Sequence, residues 1–203
     1  SSTSRGLGDV YKRQLLETDF IMIGINTRRG DVDAGENGLS ALPGREKDAK
    51  KAIDEAISYA RIIKAKNIHV MAGFSYGDKA RDVFIRNLKY ACDRAIDHDI
   101  TILIEPLNEY DAPGYFLKTT SQALNIIKDI NRANLKLMFD CYHVQLTEGN
   151  ISLKLKNLMP YIGHIQFASV PGRGEPNDGE LSYKFIFKLI KQLGYHGPIA
   201  VSY

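Results

Sequence analysis

The sequence predicts an α/β fold built on a parallel sheet, and three observations carry that prediction. Short apolar, β-branched runs alternate with longer segments of helical periodicity. The short runs are apolar almost without interruption, as expected of strands covered on both faces. No low-complexity tract, long linker or charge block breaks the succession. The strand candidates are Phe20–Asn26, Ile68–Phe74, Ile100–Glu105, Leu135–Asp140, His164–Ala168 and Ile199–Ser202. Between them, Glu46–Lys64 sets Ala49, Ala52, Ile53, Ala56, Ile57 and Ala60 on one stripe, and Ala80–Asp97 does the same with Val83, Leu88, Ala91 and Ala95. Thr120–Ile130, Val144–Leu158 and Leu181–Leu193 follow, the last closed by Gly194 as a C-cap. A doubly wound sheet and a barrel both accommodate this alternation. The lack of a GxGxxG after the first strand argues against a dinucleotide-binding sheet.

A chain of 203 residues buries a substantial core and suits one domain, or one large domain with a part missing. Its 27 basic and 24 acidic residues leave a formal charge of +3, too balanced for the clustered cationic face that nucleic-acid binding requires. Cys92 and Cys141 lack metal-type spacing and sit inside regular segments, so neither a disulfide framework nor a zinc site is expected, and a reducing compartment fits. No apolar run reaches the roughly 18 to 20 residues of a membrane span and no signal-type segment opens the chain, so a cytoplasmic location is expected. The opening stretch SSTSRGLGDVYKRQ (1–14) has no core pattern and reads as a non-native adapter or cloning scar. Residues 15–203 then read as an incomplete domain, cut at both ends.

In parallel α/β barrels the reactive groups come from the C-terminal ends of strands and the loops beyond them. Those positions here are Glu105, Asp140, Gln166 and Ser202, with His69, Asn108 and His143 close by. Glu105 follows Ile102, Leu103 and Ile104 and precedes Pro106, which cannot continue a ladder. A carboxylate there is costly to desolvate unless it is paired or bound to a metal, and a salt bridge is the plain alternative. Asp140 ends its strand in the same way; an N-cap role competes for it, and a structural hydrogen bond competes for His143. Gln166, an amide inside an apolar strand, must find partners. Together Glu105, Asp140 and Gln166 put three oxygen donors at one end of the sheet, a set suited to hard ions such as Mg2+ or Mn2+.

The segments GDVDAGENGLSALPGRE (30–46), HVMAG (69–73), IEPLN (104–108), FDCYHVQLTEGN (139–150) and GHIQFASVPGRGEPNDGELSY (163–183) resemble the hydroxypyruvate isomerase family, within the xylose isomerase-like barrel superfamily. The resemblance implies a (β/α)8 TIM barrel, truncated to about six of its eight strands. It further implies that Glu105 is catalytic and a metal ligand, that Asp140 and Gln166 are further ligands, and that His69, Asn108, His143 and Arg173 line the substrate pocket. The family's second catalytic glutamate, in a motif like IGCEY, is matched here by Ile199-Ala200-Val201-Ser202-Tyr203, so Ser202 stands where that carboxylate is expected.

The implied reaction interconverts hydroxypyruvate and tartronate semialdehyde, or a related 2-oxo sugar acid, by metal-assisted proton transfer through an enediolate. Two rivals remain: a degenerate, non-catalytic barrel, which Ser202 favours, and an apurinic endonuclease of the same superfamily, which five histidines and near-neutral charge disfavour. A barrel lacking strands is also expected to expose open edges and to aggregate.

Overall fold

The structure, a computed structural model, describes residues 22–203. The expectation for residues 1–14 and the first two positions of the leading strand candidate lie outside them. Six strands, β1 (Gly24–Asn26), β2 (Asn67–His69), β3 (Thr101–Ile104), β4 (Leu135–Asp140), β5 (Ile162–Phe167) and β6 (Ile199–Val201), form one all-parallel sheet in strictly sequential order. That order decides between the two architectures the alternation allowed. A doubly wound sheet reverses direction at a switch point, whereas a barrel never does. The six strands are an arc of a (β/α)8 barrel.

The helices are α1 (Glu46–Ile63), α2 (Gly77–Ala95), α3 (Thr120–Ile130), α4 (Cys141–Thr147), α5 (Ile151–Leu158) and α6 (Tyr183–Gln192). Their apolar stripes meet one face of the sheet, where Ile53, Phe84, Leu88 and Ile126 from the helices bury against Ile68, Ile102, Ile104 and Phe139 from the strands. Leu103, lying between Ile102 and Ile104, points to the opposite face and is buried there. Cys92 and Cys141 are both free and buried. Among the described residues no helix is long and apolar enough to cross a membrane.

The segment expected as one helix over Val144–Leu158 is two. Gly149 and Asn150 both adopt left-handed conformations (φ 64° and 53°) and break the spiral. Glu148 is drawn out of it: its carboxylate accepts from the Thr120 backbone N–H at 2.7 Å, at the start of α3, and from Lys154 Nζ at 2.7 Å. A negative group at a helix N-terminus is favourable, so periodicity lost here to a contact with a distant element. The second strand is also shorter than expected. After Val70 the backbone leaves the ladder: the Met71 N–H donates to Thr27 Oγ1, and Gly73 takes φ 94° where it crosses Gly38.

Candidate active site

Register places one polar side chain from each strand on a common rim. Asn26 pairs with His69 and Asp140 with Gln166, while Glu105 and Ser202 are the first residues beyond β3 and β6. A cavity of about 360 Å3 opens there, lined by His69, Glu105, His143, Gln166, Arg173 and Ser202 among others. A larger groove, about 690 Å3, runs along the outside of α1, but its acids Asp54 and Glu55 are engaged with Arg94 and Arg28. Volume does not mark the site; uncompensated polarity does.

Glu105 is buried, and His69 Nδ1 lies 3.6 Å from its Oε2. That ring offers no positive charge, because burial, with help from His143, lowers the His69 pKa to about 3. Burial first, and the Asp140 carboxylate second, therefore hold the Glu105 carboxyl well above its usual range. Asp140 is as deeply placed. Its Oδ1 caps α4 by accepting from the Tyr142 N–H at 2.9 Å, so the N-cap reading is correct as far as it goes. Its Oδ2 is buried with no hydrogen-bond partner within 3.5 Å among the described residues, the His143 Nε2 lying 3.9 Å away. Burial raises this pKa too, opposed by the Tyr142 N–H, by the nearby Ser202 hydroxyl and by the Arg173 charge.

His143 is neutral, its pKa lowered to about 4 by burial and by Arg173. The Asn108 backbone N–H donates to its Nδ1 at 3.2 Å, and Asn108 Nδ2 lies 2.7 Å from the same atom. Nδ1 is therefore the acceptor of the ring, and Nε2 lies 3.3 Å from Arg173 Nη2. Asn108 is thus not on the cavity wall. It sits behind His143 with its own Oδ1 taken by the Tyr110 and Asp111 N–H groups.

One further residue, Asp111, lies outside the sequence motifs. Asp111 accepts from Arg173 Nη1 at 3.0 Å, and the Arg173 guanidinium lies 4.8 Å from the Tyr142 ring centroid. Arg173 also donates through Nε to the Ser202 carbonyl at 3.1 Å. The guanidinium is held on three sides, and only the fold brings Asp111 62 residues back to it.

The model of the xylose isomerase-like TIM barrel family matches residues 6–203. The chain belongs to that family. Among its relatives, a 2-oxo-tetronate isomerase of Cupriavidus necator is 46% identical over 182 residues, spanning 88% of this chain and 70% of that one. A hydroxypyruvate isomerase of Escherichia coli is 39% identical over the same shares. Among solved structures, a Brucella melitensis protein named AP endonuclease, family 2, superposes with a TM-score of 0.93 at 35% identity, over 96% of this chain and 77% of that one. The Escherichia coli 3-keto-D-glucoside 4-epimerase YcjR, at 19% identity and TM-score 0.79, shares the fold. With relatives of that kind, this member of the barrel family is an enzyme of isomerase type.

The donor set fits a divalent cation. Ligand atoms of Glu105, Asp140 and His143 lie within 4.8 Å of one another. The unpartnered Asp140 Oδ2 and the raised pKa values mark a place where positive charge is missing. Gln166, opposite Asp140 in the ladder, lines the same cavity, and its side chain makes no hydrogen bond among the described residues.

Proposed function

We propose that the chain isomerises a small 2-oxo hydroxy acid of the hydroxypyruvate type, with Mg2+ or Mn2+ held by Glu105, Asp140 and Gln166. The observation that supports it is the pair of buried carboxylates at the C-terminal rim of the sheet, neither of which makes an ion pair with a lysine or arginine among the described residues, Arg173 being engaged with Asp111 instead. The names of the isomerase relatives support the same substrate class.

For hydroxypyruvate the product is tartronate semialdehyde: a proton leaves C3, one arrives at C2, and the O3 hydroxyl proton passes to O2. The bound cation supplies Lewis acidity to the substrate oxygens. Glu105, in a desolvated site, takes the carbon-bound proton as general base. His143, its ring fixed by Asn108 at Nδ1 and by Arg173 at Nε2, orients the substrate against the wall of the pocket. His69 and Arg173 complete the wall. On this reading Ser202 stands where a second carboxylate is expected, its Oγ buried close to Asp140. A hydroxyl of ordinary pKa is no base near neutral pH, so this chain has half of the expected acid–base pair.

Ser202→Glu tests the reading. Restoring the carboxylate is expected to raise kcat for hydroxypyruvate by about 10²-fold or more in the presence of Mn2+, the usual contribution of one acid–base group. A folded Ser202→Glu protein with no isomerase activity on hydroxypyruvate or a 2-oxo-tetronate would favour the non-catalytic barrel. Cleavage of abasic DNA would revive the endonuclease reading.

A further inference from the structure

The rim carries a second arginine. Arg28 and Arg29 follow β1 directly, and they diverge. Arg28 turns to α1, with Nε 3.5 Å from Glu55 Oε2. Arg29 turns to the cavity and lines it together with Glu105 and Arg173. It donates through Nε to Asn37 Oδ1 at 2.7 Å, and makes no ion pair among the described residues. Its two Nη groups, the end that forms a bidentate fork with a carboxylate, have no protein partner there.

The contrast with Arg173 decides which arginine has binding capacity to spare. Arg173 spends Nη1 on Asp111, Nε on the Ser202 carbonyl and its face on Tyr142. Its charge is answered by Asp111. When a divalent cation answers Glu105 and Asp140, every formal charge among the described residues lining the cavity is matched except that of Arg29. One unmatched positive charge on the wall of a cavity suits a monoanion.

We propose that Arg29, steadied by Asn37, is the group that binds the substrate carboxylate and selects 2-oxo acids over neutral ketoses. Arg173 then serves to hold the reacting end of the pocket in shape. The inference rests on the isomerase reading for the chemical class of the ligand, and deepens it by naming the residue that enforces that class.

The test compares hydroxypyruvate with dihydroxyacetone, which shares the keto-alcohol end and lacks the carboxylate. Binding of each is measured by calorimetry with Mn2+ present, for the unaltered chain, Arg29→Gln, Arg29→Lys and Arg173→Gln, with thermal midpoints as a check on folding. The unaltered chain is expected to prefer the acid by about 10- to 100-fold, the range of charge-assisted hydrogen bonding. Arg29→Gln is expected to bind both ligands alike, and Arg29→Lys to keep part of the preference, since the charge remains and the fork is lost. A preference that survives in Arg29→Gln overturns the assignment; if it disappears instead in Arg173→Gln, the acid-substrate reading stands and the anchor is Arg173. An unaltered chain that binds both ligands equally overturns both.

Discussion

Replacing Glu105 with Gln sets the two consequences of this carboxylate against each other. The residue is 7% exposed, makes no hydrogen bond among the described residues, and faces a histidine that is neutral. Its folded pKa lies above the ordinary 4.5, so the stability it contributes is fully present below that value and is lost as pH rises through the folded pKa. The slope reaches at most about 1.4 kcal/mol per pH unit for one proton, shared here with Asp140. Glutamine has nearly the same shape and no charge. Without metal at pH 8, Glu105→Gln is therefore expected to be more stable than the unaltered protein by on the order of 1–3 kcal/mol. At about 2–4 °C per kcal/mol for a chain of this size, the thermal midpoint rises by roughly 2–12 °C. With Mn2+ at 100 times its Kd the order reverses. The unaltered protein gains about 2.7 kcal/mol from binding, and the variant, short of one charged ligand, gains much less. Thermal unfolding followed by circular dichroism at pH 5 and pH 8, with and without Mn2+, reads both effects. A variant that is less stable than the parent at pH 8 without metal, or that keeps the full Mn2+ shift, refutes the assignment of Glu105 as an uncompensated ligand.

Two more outcomes separate holding from folding. Asp111→Asn keeps the shape of the side chain and removes the charge that answers Arg173. Because both partners are about one-third exposed, the pair is worth about 0–1 kcal/mol, so the midpoint should move by less than about 4 °C while hydroxypyruvate binding weakens several-fold; calorimetry showing unchanged binding would count against a positioning role. On the acid side the sign is opposite to that of the carboxylates. His69 and His143 have folded pKa values of about 3 and about 4, below their ordinary 6.5, so their contribution is present above pH 6.5 and is lost as pH falls toward those values. Measured in Glu105→Gln, where the carboxylate slope is reduced, the midpoint should fall on acidification from pH 6.5 to 4, and adding His69→Asn should flatten that fall. An unchanged slope would mean that His69 is not held neutral.

The frame of the fold is legible because its causes are local. Apolar stripes define α1 and α3 within a residue, and the run Leu135–Asp140 is the observed β4 at both ends. Misreadings occur where a distant partner wins. Glu148 leaves its helix to cap α3, and β2 gives up its last turns of ladder to Thr27 and Gly38. The same division holds at the site. Glu105, Asp140, Gln166 and Ser202 announce themselves as polar residues where apolar strands stop. Asn108 announces itself too, yet the structure turns it behind His143, a distinction that depends on a side-chain orientation. Asp111, Arg29 and Asn37 stand in polar loops where nothing in the pattern separates them from solvated neighbours.

Gly38 and Gly73 cross so closely that a Cβ at Gly73 would lie 2.2 Å from the Gly38 carbonyl oxygen, and one at Gly38 would lie 2.7 Å from the Gly73 nitrogen. Both take positive φ, and the backbone on either side is bonded across the crossing, Ser40 N–H to the Met71 carbonyl and Ala41 N–H to the Ala72 carbonyl. The long connection after β1 is riveted to the strand end that carries His69, and its traffic is restricted accordingly. This side of the mouth cannot swing as a door; the wall bearing Arg29 and the wall bearing His69 travel together as one jamb. A bulkier residue at either glycine would unseat both walls at once.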